Sequence, residues 1–350
     1  MKTRGHALRR AMIPLSLALA VLTTGAAYGG LASPRRGADA EAVAAIPVGT
    51  TPDGSSQSCG PAAAARAAAI ETFWRVFHDN DYTHIEDAQA ALQRGLAANP
   101  DDGTLHALLA ATHWWHVGES ARDPSPDPQV LSRDLPTALQ LVEEAVKLDP
   151  DDDHLPGFAG TLMVHLGRFA QDAILVANGD RTLAYSVYQF PEFNNFNRWA
   201  AHNADPKGSD GFRLALDSLW QAVDACAGET VDRHDPDLTR YMHLRTAVGR
   251  KKVCWDENPL APHGFEGLMA SLGNGLVKAG DVDAARIVYR NARLAAHYQD
   301  WPYRADLESI LGSDLRARAA LYDDADPSND PPVTVRGRSC AYCHATGPER

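Results

Sequence analysis

Cys340 and Cys343 stand three residues apart near the end of the sequence, and His344 follows directly, in Ser339-Cys340-Ala341-Tyr342-Cys343-His344. Two thiols and an imidazole at this spacing offer three chemistries. The thiols can pair as a redox-active or structural disulfide. As thiolates they can supply half of a zinc site completed by a partner. Alternatively, each S–H can add across one vinyl group of a haem, and the adjacent imidazole then reaches the iron from one face. Placing 5 Cys and 14 His at random in 350 residues gives about 0.003 such C-x-x-C-H strings, so the spacing carries information. Haem addition also needs export from the cytoplasm, which directs attention to the start of the chain.

Lys2, Arg4, Arg9 and Arg10 form a basic start, and an apolar run from Ile13 to Leu22 is followed by small residues through Gly30. Residues 1–30 therefore read as a secretory signal peptide, with Ala27-Tyr28-Gly29 as an exit. The competing reading is an uncleaved anchor from Ala11 to Ala32, which reaches membrane length only by counting Gly, Thr and Tyr. The expected location is periplasmic or secreted, with no membrane association once the signal is removed. Residues 31–59, rich in Ala, Gly, Ser, Thr and Pro, read as a flexible linker.

The composition narrows the function classes. With 45 acids against 33 bases the net charge is -12, which speaks against a broadly basic nucleic-acid-binding surface. The sequence holds no Walker loop, dinucleotide fingerprint, H-E-x-x-H or G-x-S-x-G. Hydrolase and nucleotide-enzyme readings thus lack support, and an electron carrier or binding protein is expected rather than a catalyst.

Positioning the motif falls to residues 60–322, where helical periodicity recurs without strand alternation. Pro61 suits a first helical position ahead of an Ala-rich segment to Phe77. Pro100 and Pro150 each end a helix, and acid-rich turns open the next. Gly167 is expected to form a third turn. From Leu268 to Leu294, one helix closes at Gly280-Asp281, and a second carries Ala284, Ala285, Val288, Tyr289 and Ala292. Helices are also expected over 212–226 and 238–251, and an irregular packed insertion over 185–199. Residues 323–350 form a Pro- and Asp-rich tail bearing the Cys motif.

The pair around Leu268–Leu294, and a shifted counterpart over Thr137–Arg168, resemble tetratricopeptide repeats, with a Gly-rich first helix, a short turn and an Ala-containing second helix. The 50-residue spacing of Pro100 and Pro150 implies an insertion over 119–134. Taken together, the chain resembles exported tetratricopeptide-like proteins that end in a c-type haem-attachment motif. That resemblance implies an all-α fold: a tetratricopeptide-like α-solenoid with a short irregular C-terminal tail, binding a protein redox partner or peptide on its repeat surface. It implies one covalent haem c, with Cys340 and Cys343 as thioether positions and His344 as proximal ligand. One departure stands out. Cytochrome c domains place this motif near their start, whereas residues 345–350 cannot enclose a haem, so it would have to dock on the body, sit on another protein or stay partly exposed. The alternative function is a periplasmic scaffold without haem, its tail cysteines disulfide-bonded. A haem enzyme with an open iron site is a third reading, for which no distal Arg-His signature exists.

A docked haem would want a second axial ligand, and His263, in the turn before the last repeat, is the first candidate. Cys226 and Cys254 are expected to form a disulfide closing about 28 residues, worth roughly 3–4 kcal/mol in the chain-entropy model. Cys59 is left without an assigned state. His113 and His116 flank two tryptophans three residues apart, but with no third ligand in view they read as core or groove residues.

Overall fold

The computed structural model describes residues 60–350 except 124, 245–259, 325 and 335–337. Residues 1–59, with the expected signal peptide, linker and Cys59, lie outside this range, as does Cys254.

Among the described residues the protein is all-α, with thirteen helices and no strand, and consecutive helices pack as antiparallel-type pairs in a repeat solenoid. The first helix, α1 (Pro61–His78), begins on Pro61 and buries Ala69, Ile70, Phe73, Val76 and Phe77, a stripe at helical spacing. It packs on α2 (Ile85–Ala98). Then come α3 (Gly103–Gly118) with α4 (Val130–Leu148), and α5 (Leu155–Ala170) with α6 (Ala173–Gln189). The later pairs are α7 (Pro191–His202) with α8 (Asp210–Ala227), and α9 (Gly264–Ala279) with α10 (Val282–Asn291). Two short helices, α11 (Arg304–Gly312) and α12 (Leu315–Ala320), precede the tail, which contains α13 (Ala341–His344).

Local chemistry accounts for many of the ends. Asp102, Asp172, Ser209, Asp281 and Asp314 each accept first-turn backbone N–H groups of the helix they precede. Such caps contribute about 1 kcal/mol apiece. Gly280, at φ 95°, closes α9 in the left-handed region, where the sequence placed the turn. Within α9, Gly273 leaves room for Tyr289 of α10, whose ring carbon would lie 2.3 Å from an added Cβ.

Three expectations change. Gly167 lies inside α5, which runs on to a turn at Gln171 (φ 57°). There it permits close approach, since a Cβ would sit 2.8 Å from the backbone nitrogen of Val176 on α6. Residues 185–199 are helical on both sides of a break at Phe190, the end of α6 and most of α7, rather than an irregular insertion. The described part of the 238–251 segment holds only a 3₁₀ turn, Thr239–Tyr241, with Asp237 bonding to Thr239 through both backbone and hydroxyl.

Helix α9 is the hub. Every residue from Phe265 to Lys278 is buried, against α8, α10, α12 and α13. Its polar groups are matched: Asn274 bonds Tyr289 Oη at 2.6 Å and the Val333 carbonyl at 2.8 Å. Lys278 donates to the carbonyls of Asn203 and Asp205. No described helix is long and apolar enough to cross a membrane.

Candidate functional site: the seated cysteine motif

The tail does not hang free. Cys340 precedes the single turn of α13, and the N–H groups of Cys343 and His344 both bond back to the Cys340 carbonyl at 3.3 Å. One helical turn is marginal by itself, so its end groups need partners from the body. At the start, Glu119 Oε1 accepts the N–H groups of both Cys340 and Ala341 at 2.9 Å. A carboxylate at this end also suits the positive pole of the turn. Towards the other end, Trp301 Nε1 donates to the Tyr342 carbonyl at 2.9 Å, and the His263 N–H donates to the Cys343 carbonyl at 2.9 Å.

Glu119 is itself braced. Its side chain is fully buried and pairs with Arg122, 4% exposed, at 2.9 Å. Arg122 also donates to Asn80 Oδ1 at 2.8 Å, to the Asn80 carbonyl at 2.9 Å and to the Arg350 carbonyl at 3.2 Å. Asn80 in turn donates to Tyr303 Oη and to the Gly347 carbonyl. The His78 carbonyl receives the N–H groups of Thr346 and Gly347. On the apolar side, Ala341, Tyr342 and Ala345 join the core built on α8–α10, whereas Cys340 packs against the core of α1–α3. The motif thus bridges the first helices and the hub.

Both thiols are free and packed. Cys343 is 8% exposed, and its Sγ lies so near α9 that a Cβ at Gly267 would come within 2.2 Å of it. Burial, with Glu266 nearby, pushes the Cys343 thiol up to about 12. Burial pushes Cys340 further still, with Glu119 adding to the effect. Seated, both cysteines are therefore protonated and unreactive at neutral pH.

His344 is half-buried beside Phe77, ring centroids 4.8 Å apart. Burial pulls its imidazole down to about 4, against the opposing pull of its bond to Leu260, so it is neutral. Its Nδ1 lies 2.5 Å from the Leu260 carbonyl, which can only accept. The proton is consequently on Nδ1, and Nε2 is left as the lone-pair nitrogen. A backbone carbonyl on the far nitrogen is the usual support for a metal-ligating histidine. His78 Nε2 reaches the same carbonyl at 3.2 Å, placing this second imidazole on the Nδ1 side of His344.

His263 is buried and caps the approach to α9, its Nδ1 2.9 Å from Glu266 Oε1. Sequence spacing suggested that this turn could face the tail, and the backbone bond to Cys343 makes that contact. His113 and His116 instead place both Nδ1 atoms on the buried Asp134, each at 2.9 Å. Cys226 is disulfide-bonded; its expected partner, Cys254, lies outside the described residues. Among the described residues no three His, Cys, Asp or Glu side chains converge as a metal group. An acidic cavity of about 470 Å³, lined by Asp232, Asp235, Asp237, Arg240 and Tyr241 among others, holds none of the motif residues.

The donor set suits covalent haem in its local chemistry: two thiols one turn apart, and an adjacent imidazole whose lone pair is on Nε2. It does not suit attachment while seated, because the sulfurs are packed against the body. Sequence reasoning found the motif and missed its seat. Glu119, Arg122, Asn80 and Trp301 are joined to the tail only by the fold, and a lone Glu or Arg carries no signal of that partnership. Compared with known proteins, the chain matches no family model, no curated protein and no solved structure.

Proposed function

We propose that this is an exported carrier of one covalent haem c, serving electron transfer or haem-dependent contact with a redox partner. Cys340 and Cys343 would hold the group as thioethers, each S–H adding across a vinyl double bond without an external oxidant. His344 would be the proximal ligand through Nε2. The observation that carries this reading is the Cys340-Ala341-Tyr342-Cys343-His344 string itself, two thiols one turn apart with the imidazole directly after them. When bound, the haem supplies a one-electron couple whose potential the surroundings tune. The chain's own part is to anchor the thioethers and orient the imidazole. His263, its Nδ1 held by Glu266, keeps the role of candidate second axial ligand. The tetratricopeptide-like surface would present the carrier to a protein or peptide partner in the periplasm or outside the cell. No role with nucleic acid or membrane is proposed.

The test is a pyridine haemochrome spectrum on protein made with a haem-maturation system and extracted under denaturing conditions. The expected result is the band of a doubly thioether-linked haem that stays with the polypeptide and is lost in Cys340→Ala/Cys343→Ala. Absence of retained haem overturns the reading. The burial and protonation of the seated thiols favour a second one in that case, a haem-free binding scaffold.

A further inference from the structure

Reaction at either tail thiol needs an open path to sulfur, and the seated motif restricts it. Cys343 is 8% exposed with Sγ against the Gly267 notch, and Cys340 is half-buried against the α1–α3 core. We propose that residues 338–350 form a releasable clasp, whose seated form shields both thiols and whose release exposes them together while the helical body stays folded.

Three features of the seat carry this. First, the seat is braced independently of the tail: Glu119 keeps Arg122, Arg122 keeps both contacts to Asn80, and Asn80 keeps Tyr303. Departure of the tail leaves no buried charge without a partner. Second, much of the attachment is hydrogen bonding to tail backbone, at Glu119, His78, Asn80, Trp301 and His263. Such bonds exchange readily for water once the segment lifts. Third, the apolar surface the tail buries is confined to one turn and its flank: Ala341, Tyr342 against Trp301 and Tyr303, Cys343 and Ala345. A single turn does not persist away from its seat, so the released motif is an open peptide with accessible sulfurs. Local openings of this kind lie well below the free energy of global unfolding.

The clasp concerns the thiols themselves and stands whether or not haem is carried. Its consequence for a haem carrier is an order of events: attachment belongs to the open form.

The experiment is alkylation of the haem-free full chain, tail thiols reduced, with N-ethylmaleimide, read by peptide mass spectrometry at Cys340 and Cys343. Cys59 then does not enter the measurement. In the native protein both cysteines are expected to react at one common rate, at least about 100-fold slower than in guanidinium chloride. That rate should climb with urea less steeply than global unfolding does. Glu119→Gln should raise both rates about tenfold, the scale of a charge-assisted bond, alongside the loss of body stability that follows from leaving Arg122 without its carboxylate. Native labelling as fast as in denaturant overturns the proposal, because nothing is shielded. A urea dependence equal to that of global unfolding also overturns it, because only unfolding then exposes the thiols. Should Glu119→Gln fail to fold, the native urea series decides the matter, with Trp301→Phe, which removes the bond to the Tyr342 carbonyl and trims an indole packed on Tyr298, Tyr303 and Tyr342, expected to raise both rates as well.

Discussion

Removing Arg122 should cost far more than removing a typical surface arginine. Its side chain is 4% exposed, and Glu119 beside it is fully buried. Breaking such a pair by deleting one partner costs about 3–5 kcal/mol, because the other charge stays buried. Here Glu119 Oε1 retains the Cys340 and Ala341 N–H groups, which places the loss at about 3 kcal/mol. Arg122 also stacks over Tyr82 at 5.0 Å, adding about 0.5–1 kcal/mol. We therefore expect Arg122→Ala to lose about 4 kcal/mol, a large part of the 5–15 kcal/mol typical of a folded chain. Glu119→Gln should lose about 2–3 kcal/mol. The double variant should lose clearly less than the sum, because the neutral amide does not need the guanidinium. Urea unfolding followed by far-ultraviolet circular dichroism measures all three. Losing under about 1 kcal/mol in Arg122→Ala, the range of exposed pairs, would refute the reasoning, and so would strict additivity.

Two further predictions concern the body. Gly179→Ala gains about 1 kcal/mol of helix propensity, but the new Cβ would sit 2.8 Å from the Gly160 carbonyl oxygen and 2.9 Å from the Val164 nitrogen. Backbone cannot rotate aside, so α5 and α6 must part. The net expectation is a loss of about 1–2 kcal/mol, whereas Gly312→Ala, with nothing within 4 Å, should be neutral or slightly stabilising in the same denaturation series. His165, pulled by burial from 6.5 down to about 4 despite its bond to the Ala200 carbonyl, makes stability fall on acidification. The unfolded chain takes up the proton first between pH 6.5 and 4, so its contribution is complete above the upper value and lost as pH falls. Partial solvent contact brings the expected loss to about 2 kcal/mol, and subtraction of a His165→Gln stability curve isolates it.

Sequence reading succeeded where the signal was local. Pro100 and Pro150 do mark helix ends, with α2 closing at Ala98 and α4 at Leu148. Asp281 caps α10 where Gly280-Asp281 suggested a turn. It failed where one residue type serves two purposes. A glycine that turns the chain and a glycine that lets helices touch look alike in sequence, and Gly167 is the second kind. The aromatic and Asn-rich 185–199 segment looked irregular because a side chain such as Asn194 finds its partners only in three dimensions, bonding the carbonyls of Asp153 and Ser186. The seat of the tail was beyond reach for the same reason, since its main contacts join residues 41 to 268 positions apart, from Trp301 and Tyr342 to His78 and Thr346.

The bond between the Thr346 and His78 groups spans 268 positions. In a solenoid whose repeats meet only their neighbours, the two extremities fray independently and each repeat melts on its own terms. Tying the last residues to the first helix makes the extremities one another's neighbours. Fraying at α1 then also loosens the segment that carries the thiols, so the two extremities are coupled for as long as the tail is seated. The array also pays a slower final folding step, because that contact can form only after the intervening helices have assembled.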